Sequence, residues 1–441
     1  MPISPARTAA FDILLRVNRE HAYADELLHS ERSQPLGQAD RALATEIVMG
    51  VLRWRSRLDE AIAPASVRPL GKLDAEVLTA LQLAAYQLRY LDRIPAHAAI
   101  HDSVELVKRA RKQSAAPFVN AVLRKIATTD FESFVPTEWT ATTMAREWAH
   151  PQWMVERWIA EFGLERANSI CVHDQRIPTT AIRLDDAALE TELSAEGIEL
   201  APGALVAGAR IVLAGDITQT HAFREGRVFI QDEASQLVGL LVGTGKHLLD
   251  CCAAPGGKTA ALAARNPTAQ ILAAELHAHR AELLRRRVRA PNVEVIQADV
   301  LALPANGDFD RVLADVPCSG TGTLARNPEI KWRLKAEDLA DLHQRQVAIL
   351  RAALRQLAPG GHAVYSTCSL EREECEAVIE TVRRDEPGYV LRDCREELQR
   401  LGAVGELAWN DVDSLLSGKF FRTIPGVHPC DGFFAAVVER Q

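Results

Sequence analysis

Cys318 and Cys368 are the residues of this chain best placed to do covalent chemistry. Each follows an apolar run that reads as a β-strand: Ala314-Asp315-Val316-Pro317-Cys318-Ser319-Gly320-Thr321-Gly322 in one case, Tyr365-Ser366-Thr367-Cys368-Ser369 in the other. A lone cysteine after a strand usually packs as a small hydrophobe. Two at the ends of parallel strands, one of them beside an aspartate, share the ligand edge of a sheet and point to nucleophilic catalysis. A free thiol is only a minor fraction thiolate at neutral pH, so such a site should favour the anion through nearby positive charge or helix N-termini.

A second group has the chemistry of a nucleoside site. Leu249-Asp250-Cys251-Cys252-Ala253-Ala254-Pro255-Gly256-Gly257-Lys258-Thr259 runs from a strand through a glycine turn into a helix. Glycines let a ligand approach the backbone, and free N–H groups at the helix start attract an anionic group such as a carboxylate. Glu275 ends the next strand, where an acid can accept hydrogen bonds from both ribose hydroxyls. Asp299, after the third strand, could accept one from an adenine amine, or serve only as a helix cap. Gly257-Lys258-Thr259 is also the tail of a phosphate-binding loop, but that motif needs glycine where this chain has Cys252.

The elements that position these residues follow from the pattern. Strands are expected at Lys246 to Cys251, Gln270 to Glu275, Val293 to Ala298, Asp310 to Asp315 and His362 to Thr367. Helices start near Gly257, His277, Lys335 and Glu371, and a closing pair of strands lies at Gly418 to Thr423 and Gly432 to Val438. This alternation builds a mostly parallel, doubly wound α/β sheet whose ligands bind beyond the carboxyl ends of its strands. Residues 1–130 carry helical spacing throughout (Phe11, Leu14, Leu15; Leu78, Leu81, Ala85, Leu88) and form an all-α N-terminal domain. Residues 131–150, with Pro136, read as a linker, 151–215 as a small α/β domain, and 216–441 as the Rossmann-like catalytic domain.

With 441 residues, 47% of them hydrophobic, the chain can build several cores. It shows no secretory leader and no apolar run of membrane-spanning length, so a cytoplasmic protein is expected. Eight cysteines without CxxC spacing argue for free thiols rather than a disulfide framework or a zinc site. The net charge of −8 is divided unevenly: residues 1–130 carry +3 and the remainder −11.

The combination of CAAPGGKT, DVPCSGTG, Asn327-Pro328-Glu329-Ile330-Lys331-Trp332 and STCS resembles the RNA cytosine-C5 methyltransferases. Phe229-Ile230-Gln231-Asp232-Glu233-Ala234-Ser235 is similar to the segment leading into their catalytic domain. The helical N-terminal domain resembles the NusB-type RNA-binding factors, an arrangement like that of family members acting on small-subunit ribosomal RNA. The resemblance implies an S-adenosylmethionine-dependent Rossmann-like methyltransferase with small-subunit rRNA as its partner; no obligate protein partner is evident in the sequence, and a monomer is expected. It implies a cofactor site at Cys252, Ala253, Ala254, Pro255, Gly256, Gly257, Lys258, Glu275, Asp299 and Asp315. Cys368 is implied as the nucleophile that adds to carbon 6 of cytosine. Asp315 would hold the base edge, and Cys318 would assist release of the methylated base. Many relatives have Asp where this chain has Glu275.

A cytosine in RNA is normally stacked or paired, so it must be exposed or flipped, and basic residues must hold the backbone. The candidates are Lys108, Arg109, Arg111, Lys112, Arg124 and Lys125, together with Arg280, Arg285, Arg286, Arg287 and Arg289; the second group could equally be a solvated helix face. Two competing functions remain. A DNA cytosine methyltransferase uses the Pro-Cys thiol with a Glu-Asn-Val segment, which this chain lacks. A non-catalytic assembly factor would have lost the glycine turn or the thiols, and both are present.

Overall fold

A computed structural model describes residues 3–29, 36–129, 136–186 and 188–441. The chain divides into two compact units: Met1–Ile177 with Leu324–Leu334, and Pro178–Thr323 with Lys335–Gln441. No helix among the described residues is long and apolar enough to cross a membrane.

The first unit is helical, as its spacing predicts. It holds α1 (Pro5–Glu20), α2 (Ala24–Leu28), α3 (Gln38–Ile62), α4 (Ala75–Tyr90), α5 (Ala96–Arg109), α6 (Ala116–Thr128), α7 (Ala141–Glu147), α8 (Gln152–Phe162) and α9 (Leu164–Asp174). Phe11, Leu14, Ile47, Leu52, Leu81, Leu106 and Leu123 share one core, each such side chain contributing roughly 1.5–3 kcal/mol by leaving water. Arg7 enters the unit on an ion pair with Asp102 (2.8 Å) and a bond to Gln87 (2.6 Å). The span read as a linker contains α7 in its described part, while residues 131–135 lie outside the described residues. Helices α8 and α9, expected to go with the small α/β region, fall in the first unit because Trp158, Ile170 and Cys171 are buried there.

The second unit begins with β1 (Thr180–Arg183), α10 (Ala188–Ala195), β2 (Glu199–Pro202), β3 (Ala209–Ala214), α11 (His221–Arg224) and β4 (Phe229–Ile230). These strands form an antiparallel sheet ordered β2-β3-β1-β4. There follow α12 (Glu233–Val242), β5 (His247–Asp250), α13 (Gly257–Arg265), β6 (Gln270–Glu275), α14 (Ala278–Arg287), β7 (Val293–Gln297) and β8 (Phe309–Asp315). The turn α15 (Ile330–Arg333) belongs to the first unit. The chain then continues with α16 (Asp338–Arg355), β9 (Leu357–Thr367), α17 (Glu376–Asp385), β10 (Tyr389–Leu391), α18 (Cys394–Ala403), β11 (Leu416–Ser417), β12 (Phe420–Thr423) and β13 (Phe433–Arg440).

The large sheet is ordered β11-β12-β13-β9-β8-β5-β6-β7, parallel from β9 through β7 and antiparallel at β13, with β10 paired to β13. This is the doubly wound, Rossmann-like arrangement expected. Alternation along the strands explains the helices on both faces. Leu248, Leu313, Val364 and Ala435 go to one core, and Leu249, Val312, Ala314, Tyr365 and Phe434 go to the other. After β7 the chain returns to the opposite side of β5, so β5 and β8 flank a switch point where the carboxyl ends open into a crevice.

Candidate active site and the family of the chain

The glycine turn read as the cofactor site is built at that switch point. Gly256 takes a φ of +110°, and a Cβ there would meet Val288 and Leu284 at 2.8 and 2.9 Å, so only glycine fits. Thr259 donates to Asp250 Oδ2 (2.8 Å), which ties the first turn of α13 to the end of β5. Arg183, a buried residue that pattern reading passes over, donates to the Gly257 carbonyl (2.6 Å) and to Gln231 (3.1 Å). Arg183 is the last residue of β1, and no periodicity marks it in the sequence. Glu233 accepts from the backbone N–H groups of Ala204, Leu205 and Val206 and so fixes the start of α12.

Two acids bear on the fit of S-adenosylmethionine. Asp250 Oδ1 is buried with no hydrogen-bond partner in the protein, and burial pushes this carboxyl up to about 7. Glu275 is 4% exposed and accepts from the His277 N–H at 3.0 Å with one oxygen. The other lies 4.0 Å from Arg280 Nε. An orphaned acceptor and a nearly buried carboxylate beside a glycine turn suit a cationic, hydroxyl-bearing nucleoside. Asp299 is exposed and caps the turn Val300–Ala302 by accepting from Leu301 N (2.9 Å). Its cap role is thus realised, with one oxygen left over. Cys252 lies in the turn and is partly buried; Cys251 is buried and packs under the sheet.

Asp315, at the end of β8, accepts from Lys258 Nζ (2.8 Å) on one oxygen and from Ser366 Oγ (2.7 Å) on the other. Lys258, read as part of the cofactor turn, therefore spends its ammonium on Asp315, with its Nζ 5.1 Å from the centre of the Phe433 ring. A carboxylate has about four acceptor positions, so Asp315 keeps room for a base edge.

Cys318 Sγ and Cys368 Sγ lie 3.2 Å apart. Their loops are interlocked: Gly322 N donates to the Cys368 carbonyl (2.8 Å), and Gly432 N donates to the Gly322 carbonyl (2.8 Å). A Cβ on Gly322 would stand 2.2 Å from the Gly432 oxygen. The expected bias toward thiolate is not met at Cys368. Its hydrogen bond to Cys318, then burial, then the charges of Cys318 and Asp315 hold it well above the usual cysteine range, and only Lys258 opposes them. The positive charge is present, but Asp315 neutralises it. All eight cysteines are free thiols.

The basic residues offered for RNA are partly spent. Lys108 pairs with Glu105 (2.6 Å), Arg109 with Asp12 (2.8 Å) and Lys112 with Asp74 (3.0 Å), and Lys125 donates to the Pro64 carbonyl. Arg124 lines a groove of about 370 Å³ with His97, Ile100, His101, Val104 and Asn120. On α14, Glu282 faces both Arg285 and Arg286, and Arg280 donates to the Ala254 carbonyl of the glycine turn; just past the helix, Arg289 donates to the Arg286 carbonyl.

The segment Asn327 to Trp332 does a different job in the first unit. Lys331 Nζ, buried, donates to the Arg53 carbonyl (2.9 Å), Trp332 Nε1 donates to the Leu52 carbonyl (2.6 Å), and Glu329 accepts from Ala24 N (3.0 Å). Burial pulls the Lys331 ammonium down to about 7, against the opposing charge of Asp174. Asp174 is paired with the buried His150 at 3.1 Å.

The family model for 16S rRNA methyltransferase RsmB/F matches residues 239–439, and the NusB family model matches residues 4–128. A probable ribosomal RNA small subunit methyltransferase B of Bacillus subtilis is 35% identical over 404 residues, covering 88% of this chain and 90% of the relative. The crystal structure of PH0851 matches over all of both chains with a TM-score of 0.80 at 21% identity, which bears on fold alone. A methyltransferase homolog protein from Pyrococcus horikoshii matches with a TM-score of 0.55 at 25% identity, over 68% of this chain and 99% of its own. A relative this similar across nearly the whole of both sequences places the catalytic unit and the helical domain in one lineage, and the chain belongs to the RsmB/F family of S-adenosylmethionine-dependent 16S rRNA methyltransferases.

Proposed function

We propose that the enzyme methylates carbon 5 of a cytosine in small-subunit rRNA through a covalent adduct between Cys368 and carbon 6 of the base. The observation that carries this reading is the pair of thiols 3.2 Å apart with Asp315 at the end of the neighbouring strand. Carbon 5 of cytosine is a poor nucleophile, and addition of a thiolate at carbon 6 gives it enamine character. The cofactor, when bound, supplies the electrophilic methyl group.

The chain's residues do the rest. Asp315 binds the base at N3 and the exocyclic amine and stabilises the charge that develops there during addition. As Cys368 adds to carbon 6 it gives its proton, through Asp315, to N3 of the base, since its thiol is the favoured form in the free enzyme. After methyl transfer Cys318, reacting through its thiolate form, removes the proton on carbon 5 and later yields it to solvent, while Cys368 is expelled as the carbon 5–carbon 6 double bond re-forms and regains the proton held at N3. The turn from Cys252 to Lys258 and the acids Glu275 and Asp299 hold the cofactor. The helical domain grips the RNA, with Arg111 and Arg124 touching the backbone and the groove beside Arg124 on its path.

Mapping 5-methylcytosine in small-subunit rRNA from cells with and without the gene tests the assignment. One cytosine that loses its methyl group with the gene supports it; an unchanged 5-methylcytosine map overturns it.

A further inference from the structure

Glu374 lies between the two thiol loops, in the short turn Arg372–Glu374 before α17. It is 0% exposed, and both of its carboxylate oxygens are occupied by donors. Oε1 accepts from Ser319 N (2.8 Å) and from Gln346 Nε2 (2.8 Å). Oε2 accepts from the hydroxyls of Ser319 and Ser369. Ser319 follows Cys318 and Ser369 follows Cys368. Gln346, on α16, also donates to the Pro317 carbonyl at 3.0 Å, so its amide ties the residue before Cys318 to the same carboxylate.

The two loops depend on this carboxylate unequally. Cys368 continues directly from β9, Ser369 N donates to Thr367 Oγ1 (3.2 Å), and Glu371 N donates to Ser369 Oγ (3.0 Å). That loop is held by its own segment and by the bonds of Gly322 N to the Cys368 carbonyl and of Leu370 N to Thr321 Oγ1, none of which uses Glu374. The Cys318 loop places both the backbone N–H and the hydroxyl of Ser319 on Glu374. Loss of the carboxylate therefore frees Cys318 first.

We infer that Glu374 is a positioning residue that sets Cys318 against the Cys368 adduct, so that its charge is needed for release of the methylated base rather than for bond formation. The inference rests on the thiol roles proposed above. It is a matter of geometry: a base that must take a proton from one carbon works only within hydrogen-bond reach, and a shift of about 1 Å can cost a hundredfold in rate. In Glu374→Gln the amide keeps the volume but presents two protons to a pocket filled with donors, and the Ser319 anchor is lost.

The test uses the full-length chain, labelled S-adenosylmethionine and small-subunit rRNA. It compares wild type, Cys318→Ala, Glu374→Gln, Glu374→Asp and Ser319→Ala for first-turnover methyl transfer, steady-state turnover and adduct on denaturing gels. Glu374→Gln is expected to bind cofactor as wild type does in calorimetry and to complete a first transfer. Its steady-state turnover should fall by about tenfold or more while adduct accumulates. Glu374→Asp, which keeps the charge, should regain part of the turnover, and Ser319→Ala should show a smaller defect of the same kind. Wild-type turnover in Glu374→Gln, or equal loss of first transfer and turnover without adduct, overturns the inference. If Glu374→Gln does not fold, the inference stands or falls on whether Ser319→Ala accumulates adduct. Cys318→Ala separates the two levels: if it traps no adduct, the thiol assignment itself fails, and if it alone traps adduct, only the role of Glu374 fails.

Discussion

Cys318 and Cys368, fifty residues apart in sequence, meet at 3.2 Å because β8 and β9 are parallel neighbours whose ends release their loops on the same side of the sheet. The contact has an electrostatic cost for Cys368, the proposed nucleophile. The hydrogen bond to Cys318 is the foremost cause of the raised pKa of Cys368.

A pH profile follows from that contact. In the free enzyme Cys368 stays protonated through neutral pH, so its alkylation by iodoacetamide, read peptide by peptide in a mass spectrometer, should rise with pH and not level off below pH 9. Cys318→Ala removes the foremost cause of the shift, and alkylation of Cys368 at pH 8 should quicken several-fold, by about threefold or more. A plateau below pH 8 in the wild type contradicts the account.

Cofactor affinity should depend on Glu275. Its carboxylate is nearly buried and uses one oxygen on His277 N. Glu275→Ala should weaken S-adenosylmethionine binding by about tenfold or more, as expected when a charge-assisted hydrogen bond worth roughly 1.5–3 kcal/mol is lost. Glu275→Gln should lose less. Unchanged calorimetric affinity in Glu275→Ala removes the residue from the site.

RNA docking is better tested by substitution than by truncation. Removing residues 1–130 would take away Arg53, whose carbonyl receives Lys331, and so disrupt the unit that includes Leu324–Leu334. Arg111→Glu with Arg124→Glu should raise the dissociation constant for rRNA and flatten its salt dependence, the slope falling by about one for each phosphate that is no longer neutralised. Equal slopes for the double variant and the wild type rule these two residues out of the RNA interface.

Stability should vary with pH through Lys331. Its ammonium has a pKa of about 7 when folded against 10.5 as its ordinary value, so between these limits the unfolded chain binds a proton that the folded chain does not. Stability therefore rises with pH across that window, by up to about 1 kcal/mol per unit for this one group. Arg53, Asp174, Cys171 and His150 surround it. The buried cysteines act in the opposite sense above pH 9, and Asp250, pushed up to about 7 in the second unit, does so near pH 7, so the difference between wild type and Lys331→Met isolates the effect. Six of the seven tryptophans belong to the first unit, which makes intrinsic fluorescence a fitting probe. The denaturant midpoint of the wild type should gain on that of Lys331→Met from pH 7 to 8.5; parallel curves reject the assignment.

What the sequence makes legible is periodic or glycine-marked. The parallel strands from Gln270 to Glu275 and from Val293 onward, and the glycine turn at Gly256, follow from local pattern because their side chains divide between two cores. Long-range polar bonds leave no such trace. Glu374, Arg183 and Gln346 sit among ordinary polar residues in the sequence and gain their roles from partners 28 to 74 positions away. Strand β9 starts at Leu357, five residues before its expected start, because its first residues pair with β8 around the Gly360-Gly361 irregularity. The motif from Asn327 to Trp332 reads in the sequence as a mark of the catalytic family, whereas its buried Glu329 and Lys331 and its half-buried Trp332 are anchors in the helical unit.

The central claim is that Cys368 forms the bond to the base and Cys318 ends it. Full-length Cys318→Ala and Cys368→Ala are each incubated with labelled S-adenosylmethionine and small-subunit rRNA and run on a denaturing gel. The account predicts a methylated, slow-migrating protein–RNA species in Cys318→Ala and none in Cys368→Ala; an adduct confined to the Cys368→Ala lane contradicts it.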